Sequence, residues 1–405
     1  MIAIRGDRLL DDLRALARFG GLSPGVDRIA FSETDLSARR WLVDKLAAAG
    51  LEAGLDRVGN VLGRDPSAGK AILIGSHTDT VPRGGWLDGA MGVVYGLEIA
   101  RAFRESGASG SVGIDVASFQ DEEGTYLPFL GSRSFCGTLR DGEIAAARAE
   151  DGATLTAALA PLADAPAPFR LDPARHVAFL EAHIEQGPRL EASAKKIGVV
   201  TGITGIRRFR VTATGAANHA GTTPMAMRRD AGAALVRIAA WIGEAFPGFA
   251  AAETVWNIGA MAFRPGAANV VPGEAEMAVE IRDLDVALLD RMEAALSERV
   301  TAESRDGVAV AMVRPTVVAP TPMDAGIVAA LAAAAAAHGH APVLLPSGAG
   351  HDAMEVGRVL PAGMLFVPSI GGISHHVSEN TDDADIVLGC QVLADAISRI
   401  MQEVS

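Results

Sequence analysis

The sequence predicts an α/β protein interrupted by a smaller α+β domain, on three observations. In the first half, short and fully apolar runs that suit buried strands alternate with amphipathic helical segments. Near residue 204 the strands change to one-sided alternation. The histidine and carboxylate clusters that read as one site are split between the first half and His375, so the two ends belong to one domain and the middle is an insertion. The expected boundaries are 1–204 with 321–405 for the larger domain and 205–320 for the inserted one.

Leu9, Leu10, Leu13, Leu16 and Ala17 recur at helical spacing ahead of Gly20-Gly21, and Ser37–Ala49 is a second amphipathic helix stopped by Gly50. Ala71–Ile74 is a short apolar run beside glycine, a buried strand, and Ser111–Phe119 is another. The Ala- and Pro-rich stretch 144–168 reads as a surface excursion. Phe209, Val211 and Ala213 alternate with Arg208, Arg210 and Thr212, a helix covers Asp230–Phe246, Met277, Val279 and Ile281 alternate with Glu276, Glu280 and Arg282, and a helix covers Asp285–Val300. Strands open on one face with two helices on the other make a small α+β domain. Pro320 and Pro322 mark its exit, followed by a helix over 325–338 and a last one near 384–403.

A chain of 405 residues favours two domains, and 49% hydrophobic residues supply a sizeable core. The formal net charge of −13 argues against nucleic acid or an anionic membrane as a partner. Two cysteines, Cys136 and Cys390, do not form a disulfide framework and suit a reducing compartment. The N-terminus turns charged at once, and no apolar run is long enough to span a bilayer, so the expected location is cytoplasmic.

Chemistry concentrates in four segments: Gly75-Ser76-His77-Thr78-Asp79-Thr80 with Leu87-Asp88-Gly89, then Asp121-Glu122-Glu123-Gly124, then Glu181-Ala182-His183-Ile184-Glu185-Gln186-Gly187, and finally Ser374-His375-His376. Imidazole and carboxylate are the ligands that borderline divalent metals prefer. His77 and Asp79 follow a strand and, at period two, point the same way, so one can ligate while the other orients it. Asp88 sits among Gly84, Gly85 and Gly89, where a flexible turn can bring one carboxylate between two ions about 3.5–4 Å apart. Of the adjacent Glu122 and Glu123, one can bind metal while the other takes a proton from metal-bound water. Side chains of neighbouring extended residues diverge, so both entering one site requires a local irregularity, which Gly124 can supply. An isolated Glu-Glu pair is ordinarily solvated surface and an isolated His183 a satisfied core histidine. The four segments together, each with glycine where a tight site wants it, favour a two-metal hydrolase.

The segments GSHTDTVPRGGWLDGAMG, DEEG, HIEQGP, NHAGTTPM, NVVPGE, SGAGHDA and GISHH resemble the hydantoinase/carbamoylase branch of the dinuclear-metal aminoacylase and carboxypeptidase superfamily, over about residues 29–385. That branch includes N-carbamoyl-L-amino acid hydrolases, allantoate amidohydrolases and β-ureidopropionases. The resemblance implies a zinc-peptidase-like catalytic domain with an inserted ferredoxin-like lid and dimerisation domain, hence a homodimer. It implies two divalent ions per subunit, Zn2+ first and Mn2+, Co2+ or Ni2+ as alternatives. One would be held by His77, Asp88 and His183, the other by Asp88, Glu123 and His375, with Asp88 bridging, Glu122 as general base and Asp79 supporting His77. His376 is the rival to His375. His219, Asn269 and Arg282 resemble residues that grip the substrate carboxylate and the amide or ureido group.

Physical reasoning adds to that picture. A guanidinium fork matches a carboxylate, although Arg282 could equally pair with Glu280 or Glu276 on its own sheet face. His219 could donate to an oxyanion, Gln186 suits a neutral ureido group, and His351 with Asp352 falls at the site wall. The expected substrate is a small ureido or amide compound with a free carboxylate: an N-carbamoyl-L-amino acid, with allantoate or an acyl amide as alternatives. One departure stands out. Where the family often carries arginine and phenylalanine after the Glu-Gly, this chain has Thr125-Tyr126-Leu127.

Overall fold

In the computed structural model, which describes residues 2–107 and 111–404, strands β1 (Glu52–Leu55), β2 (Val61–Arg64), β3 (Lys70–His77), β4 (Val112–Phe119), β5 (His176–Ile184) and β6 (Gly198–Ile203) come first. Strands β7 (Gly205–Thr214), β8 (Asn218–His219), β9 (Val255–Arg264), β10 (Val270–Val271), β11 (Glu274–Asp283) and β12 (Ala309–Val318) follow. The chain returns through β13 (Thr321–Pro322), β14 (Val343–Ser347) and β15 (Ala362–Val367). Contacts divide it into two units, Met1–Thr201 with Pro322–Ser405, and Gly202–Thr321.

The first unit is built on a nine-stranded sheet in the order β1-β2-β4-β3-β5-β15-β6-β13, with β14 pairing β6. Its centre, β4-β3-β5-β15, is parallel. The flanking pairs β1-β2, β2-β4 and β15-β6 are antiparallel. Seven of the eight residues of β3 and all of β4 are buried, which is why these strands read as continuous apolar runs rather than alternating ones. The helix Ala90–Glu105 is buried along most of its length, and Leu97, Ile99 and Val94 join Ile72, Ile74 and Leu180 in one core. Helices Gly6–Ala17, Ala325–Ala337 and Asp383–Val404 close over this core.

Two readings of the sequence need adjusting. The second helix starts at Glu33, not Ser37, because the Ser32 hydroxyl accepts the Asp35 N–H at 3.2 Å and caps the first turn. The stretch 144–168 is more than a surface excursion: its short helices Glu143–Ala146 and Leu155–Ala158 seat Ala147 and Leu155 against Val58 and Leu130.

The second unit is a four-stranded antiparallel sheet in the order β12-β7-β11-β9. Helix Ala231–Ala245 lies between β7 and β9 in the chain, and helix Val286–Glu303 between β11 and β12. That β-α-β-β-α-β path is a ferredoxin-like arrangement. Phe209, Val211, Met277, Val279 and Ile281 point to one face and meet Leu235, Ile238, Leu289, Met292 and Leu296 from the helices. The other face carries Arg208, Arg210, Glu276, Glu280 and Arg282: Arg208 pairs with Glu280 and Arg210 with Glu276 across the strands, and Arg282 with Glu280 along its own strand. Among the described residues no helix is long and apolar enough to cross a membrane.

The second core gives a direct prediction. Leu235, with no exposed surface, should cost about 2–5 kcal/mol on replacement by alanine. The neighbouring and largely exposed Val236 should stay within about 0.5 kcal/mol. Denaturant unfolding of Leu235→Ala and Val236→Ala checks the difference, and equal effects would contradict the assigned face.

Candidate functional site

The site lies at the carboxyl ends of the parallel strands, the edge where open α/β sheets present their functional loops. His77 is the last residue of β3, and the Asp121-Glu122-Glu123 turn follows β4 directly. His183 is next to last in β5, and β15 leads into the loop bearing Ser374 and His375. Adjacent parallel strands thus bring together residues far apart in sequence. Asp88 enters from the loop ahead of the helix Ala90–Glu105.

Asp88 is the centre of this cluster. Its Oδ1 lies 2.9 Å from His183 Nε2 and 3.6 Å from His77 Nε2. Its Oδ2 lies 3.4 Å from His375 Nε2, and Glu123 Oε2 is 3.5 Å from the same nitrogen. The carboxylate therefore offers one oxygen to each of two donor sets: His77, Asp88 and His183, and Asp88, Glu123 and His375, each with ligand atoms within 4.8 Å of one another. Glu122 belongs to neither set, and its Oε2 stands 3.6 Å from His77 Nε2.

Main-chain contacts aim the rings. His77 Nδ1 donates to the Asp79 carbonyl at 2.9 Å, and His183 Nδ1 to the Ile184 carbonyl at 2.8 Å. A carbonyl can only accept, so Nδ1 carries a proton and Nε2 is the nitrogen that faces the cluster. Asp79 thus supports His77 through its backbone. Its carboxylate instead pairs with Arg39 Nη2 at 3.2 Å and accepts the Glu123 N–H at 3.4 Å. At Gly89, where φ is +62°, a Cβ would overlap the His77 ring, so only glycine fits.

Both glutamates reach the cluster because the backbone turns left-handed at Asp121 (φ +56°) and again at Gly124 (φ +76°). The irregularity expected at Gly124 alone begins three residues earlier. The Asp121 carboxylate fixes it by accepting the N–H groups of Tyr126 at 3.1 Å and Leu127 at 2.8 Å. Tyr126, at the position that departs from the family pattern, sets its ring edge-on to Phe31 at 5.8 Å.

Burial and like charge dominate the electrostatics. Burial and the Asp88 charge push Glu123 up to about 8. Burial raises Glu122 well above the usual carboxylate range, and Glu123 and Asp352 raise it further. Burial also acts upward on Asp88, but the His183 and His77 rings overcome it and hold Asp88 well below its ordinary value.

The remaining expected residues fall in different places. Gln186, at φ +57°, donates from Nε2 to Asp88 Oδ2 at 3.0 Å and to Ser374 Oγ at 3.2 Å, inside the cluster. His351, expected to touch substrate, is 2% exposed: its ring packs edge-on to His183 at 4.5 Å and its Nε2 meets Ser347 Oγ at 2.8 Å. It packs against the His183 ring. Asp352 is fully buried at the start of helix Asp352–Val356, whose Ala353 N–H donates to Glu181. His376 Nδ1 turns to Ser378 Oγ at 2.7 Å, while His375 faces the carboxylates. His219, Asn269 and Arg282 belong to the second unit. There His219 pairs with Val270, next to Asn269, and the Ala220 N–H donates to the Asn269 carbonyl. Arg282 Nε donates to Glu280 Oε1 at 2.6 Å, the sheet-face partner weighed from the sequence.

Two contributors escaped the sequence reading. Arg39 is fully buried and bonds Asp35, Asp79 and the Phe119 carbonyl. Its signal was a charge within the buried stripe Leu36, Arg39, Leu42, Leu46. Glu379, 2% exposed, accepts from the Leu87 and Asp88 N–H groups, and no periodicity marks it.

The donor set fits divalent cations. It offers imidazole nitrogens and carboxylates suited to Zn2+ and its neighbours, and Glu123 Oε1 is buried with no hydrogen-bond partner among the described residues. Three carboxylates buried this close also call for compensating positive charge. A pH effect follows. Glu123, near 8 instead of 4.5, and Asp121, near 7 instead of 3.8, bind protons on folding. Their stabilisation is complete below their unfolded values and lost as pH rises through 7 to 8. Cations favour the ionised forms. The rise in melting temperature on adding Zn2+ or Mn2+ to metal-free protein should therefore be larger at about pH 8.5 than at about pH 5.5. An equal or smaller rise at the higher pH would contradict the placement of these carboxylates.

The chain is similar to known proteins along nearly its whole length. The profile of peptidase family M20/M25/M40 matches residues 73–399. The chain is 36% identical to an N-carbamoyl-L-amino-acid amidohydrolase of Paenarthrobacter aurescens, over 96% of each chain. It is 32% identical to the allantoate amidohydrolase of Bacillus subtilis, over 97% of each. A crystal structure of a hydantoinase/carbamoylase family amidase from Burkholderia phymatum superposes with a TM-score of 0.94 at 48% identity, covering 100% of both chains. The chain belongs to peptidase family M20/M25/M40, in its hydantoinase/carbamoylase branch.

Proposed function

We propose that this chain is a metal-dependent amidohydrolase that cleaves the carbamoyl C–N bond of an N-carbamoyl-L-amino acid or a related ureido acid. The observation that carries the reading is Asp88, whose two oxygens face two separate donor sets while Glu122 stays outside both. A pair of divalent ions would supply Lewis acidity and a water acidic enough to lose its proton near neutral pH. His77, Asp88 and His183 would hold one ion and Asp88, Glu123 and His375 the other. Zn2+ is the first choice from the ligand chemistry, with Mn2+, Co2+ or Ni2+ as alternatives.

Glu122 is placed as the general base that takes the water proton and returns it to the leaving nitrogen. Its burial and raised affinity for protons suit that exchange. Gln186 is assigned to the ureido group, His219 to the developing oxyanion, and Asn269 and Arg282 to the substrate carboxylate. To serve there Arg282 must exchange its Glu280 contact for the substrate. The carbamate released decomposes to carbon dioxide and ammonia. The second unit is read as a lid and dimerisation domain. Its charged sheet face also exposes Val255 and Val313, apolar surface that a second copy would cover. A cytoplasmic location accompanies this reading.

Allantoate is the second substrate reading, supported by the 32% identity to an allantoate amidohydrolase. Ammonia release from a panel of N-carbamoyl-L-amino acids, allantoate and N-acetyl amino acids, with metal-reconstituted protein, tests the reading. Turnover of the carbamoyl compounds is expected. Cleavage of only the acetyl compounds, followed by free amine, would move the assignment to aminoacylase. On whichever substrate is best, Glu122→Gln should retain both ions and lose about 10²–10⁴-fold in kcat. A variant that turns over at the wild-type rate would remove Glu122 as the base.

A further inference from the structure

We infer that Glu379 is a positioning residue that fixes Asp88 between the two donor sets by tying its loop to the loop that carries His375, an inference that rests on the two-ion reading above. Glu379 is 2% exposed. One oxygen, Oε1, accepts two consecutive main-chain N–H groups, from Leu87 at 3.2 Å and from Asp88 itself at 3.1 Å. The other, Oε2, accepts the Ser374 hydroxyl at 3.0 Å, and that hydroxyl also lies 3.2 Å from Asp88 Oδ2. Gln186 Nε2 completes the ring, reaching both Ser374 Oγ and Asp88 Oδ2.

The loop needs such a tether. Gly84, Gly85 and Gly89 surround Asp88, and glycine leaves the backbone its widest choice of conformations. A Cβ at Gly85 would overlap the Glu379 carboxylate, so this loop is shaped around that side chain. The tether is itself anchored. The Asn380 side chain accepts from Trp86 Nε1 at 3.2 Å and its carbonyl from the Ile370 N–H at 2.9 Å, while the Thr381 hydroxyl donates to the Pro368 carbonyl at 2.7 Å.

The two donor sets should not depend on Glu379 equally. His77 and His183 sit on β3 and β5 in the middle of the sheet. In the other set, Asp88 and His375 both lie on the loops that Glu379 joins, and the His375 side chain is 52% exposed. Loosening the tether should therefore weaken the ion held by Asp88, Glu123 and His375 far more than the ion held by His77, Asp88 and His183.

The test is a Co2+ titration of the full chain after chelator treatment, read by calorimetry and visible absorption, with circular dichroism to verify folding. Wild type is expected to take two ions. Glu379→Ala should keep the tighter step within about threefold and weaken the other about 10–100-fold, the range for partners that orient ligands. Glu379→Gln, whose amide oxygen still accepts both N–H groups, should stay close to wild type. Gly85→Ala, which displaces the carboxylate without removing its charge, should reproduce Glu379→Ala and gives an independent reading if that variant folds poorly. Two unchanged steps in Glu379→Ala and Gly85→Ala would overturn the inference, as would equal weakening of both steps. A wild-type chain that takes fewer than two ions would overturn the two-ion reading and this inference with it, whereas two ions in wild type with unaffected variants would overturn this inference alone.

Discussion

Everything around the site answers to one constraint: buried Asp88 and Glu122 and half-buried Glu123 stand close together with two buried imidazoles. Carboxylates taken out of water repel one another strongly and tolerate it only with compensating charge and complete hydrogen bonding. The molecule supplies hydrogen bonds to the scaffold and leaves the Nε2 atoms and carboxylate oxygens facing inward. Opposite net shifts on neighbouring carboxylates follow from that layout. Burial first and the facing Asp88 charge second drive Glu123 up, while the two imidazoles facing Asp88 outweigh the same burial and hold it down.

The frame that imposes this geometry is graded in stiffness. His77 and His183 are strand residues in the parallel centre of the sheet, aimed by carbonyls one or two residues on. Glu122 and Glu123 ride a turn locked by Asp121 and, behind it, by the Arg39–Asp79 pair. Asp88 and His375 come from loops and depend on side-chain tethers, Glu379 above all. Metal affinity and substrate access should follow that gradient, since the loop-borne ligands have the most freedom to lose.

The second unit rests on packing of its own. It has its own core and presents a charged sheet face and a separate short ladder carrying His219. On that face Arg282 is held by Glu280 at 2.6 Å in a half-buried pair.

The sequence by itself determined the ligand types, the division into an α/β body with an α+β insertion, and most elements, because burial writes directly onto residue pattern. Buried parallel strands gave continuous apolar runs, and the half-exposed β7 and β11 gave clean alternation. Metal-type chemistry was legible because four separate segments each join histidine or carboxylate to nearby glycine, a combination that scattered surface charges do not produce. What only the tertiary structure decided was contact at long range. The Asp79 carbonyl, not its carboxylate, orients His77; His351 packs against His183; Glu379 reaches Asp88 from 291 residues away. No period or motif encodes such contacts, since they arise only when the sheet order places β3, β4, β5 and β15 side by side.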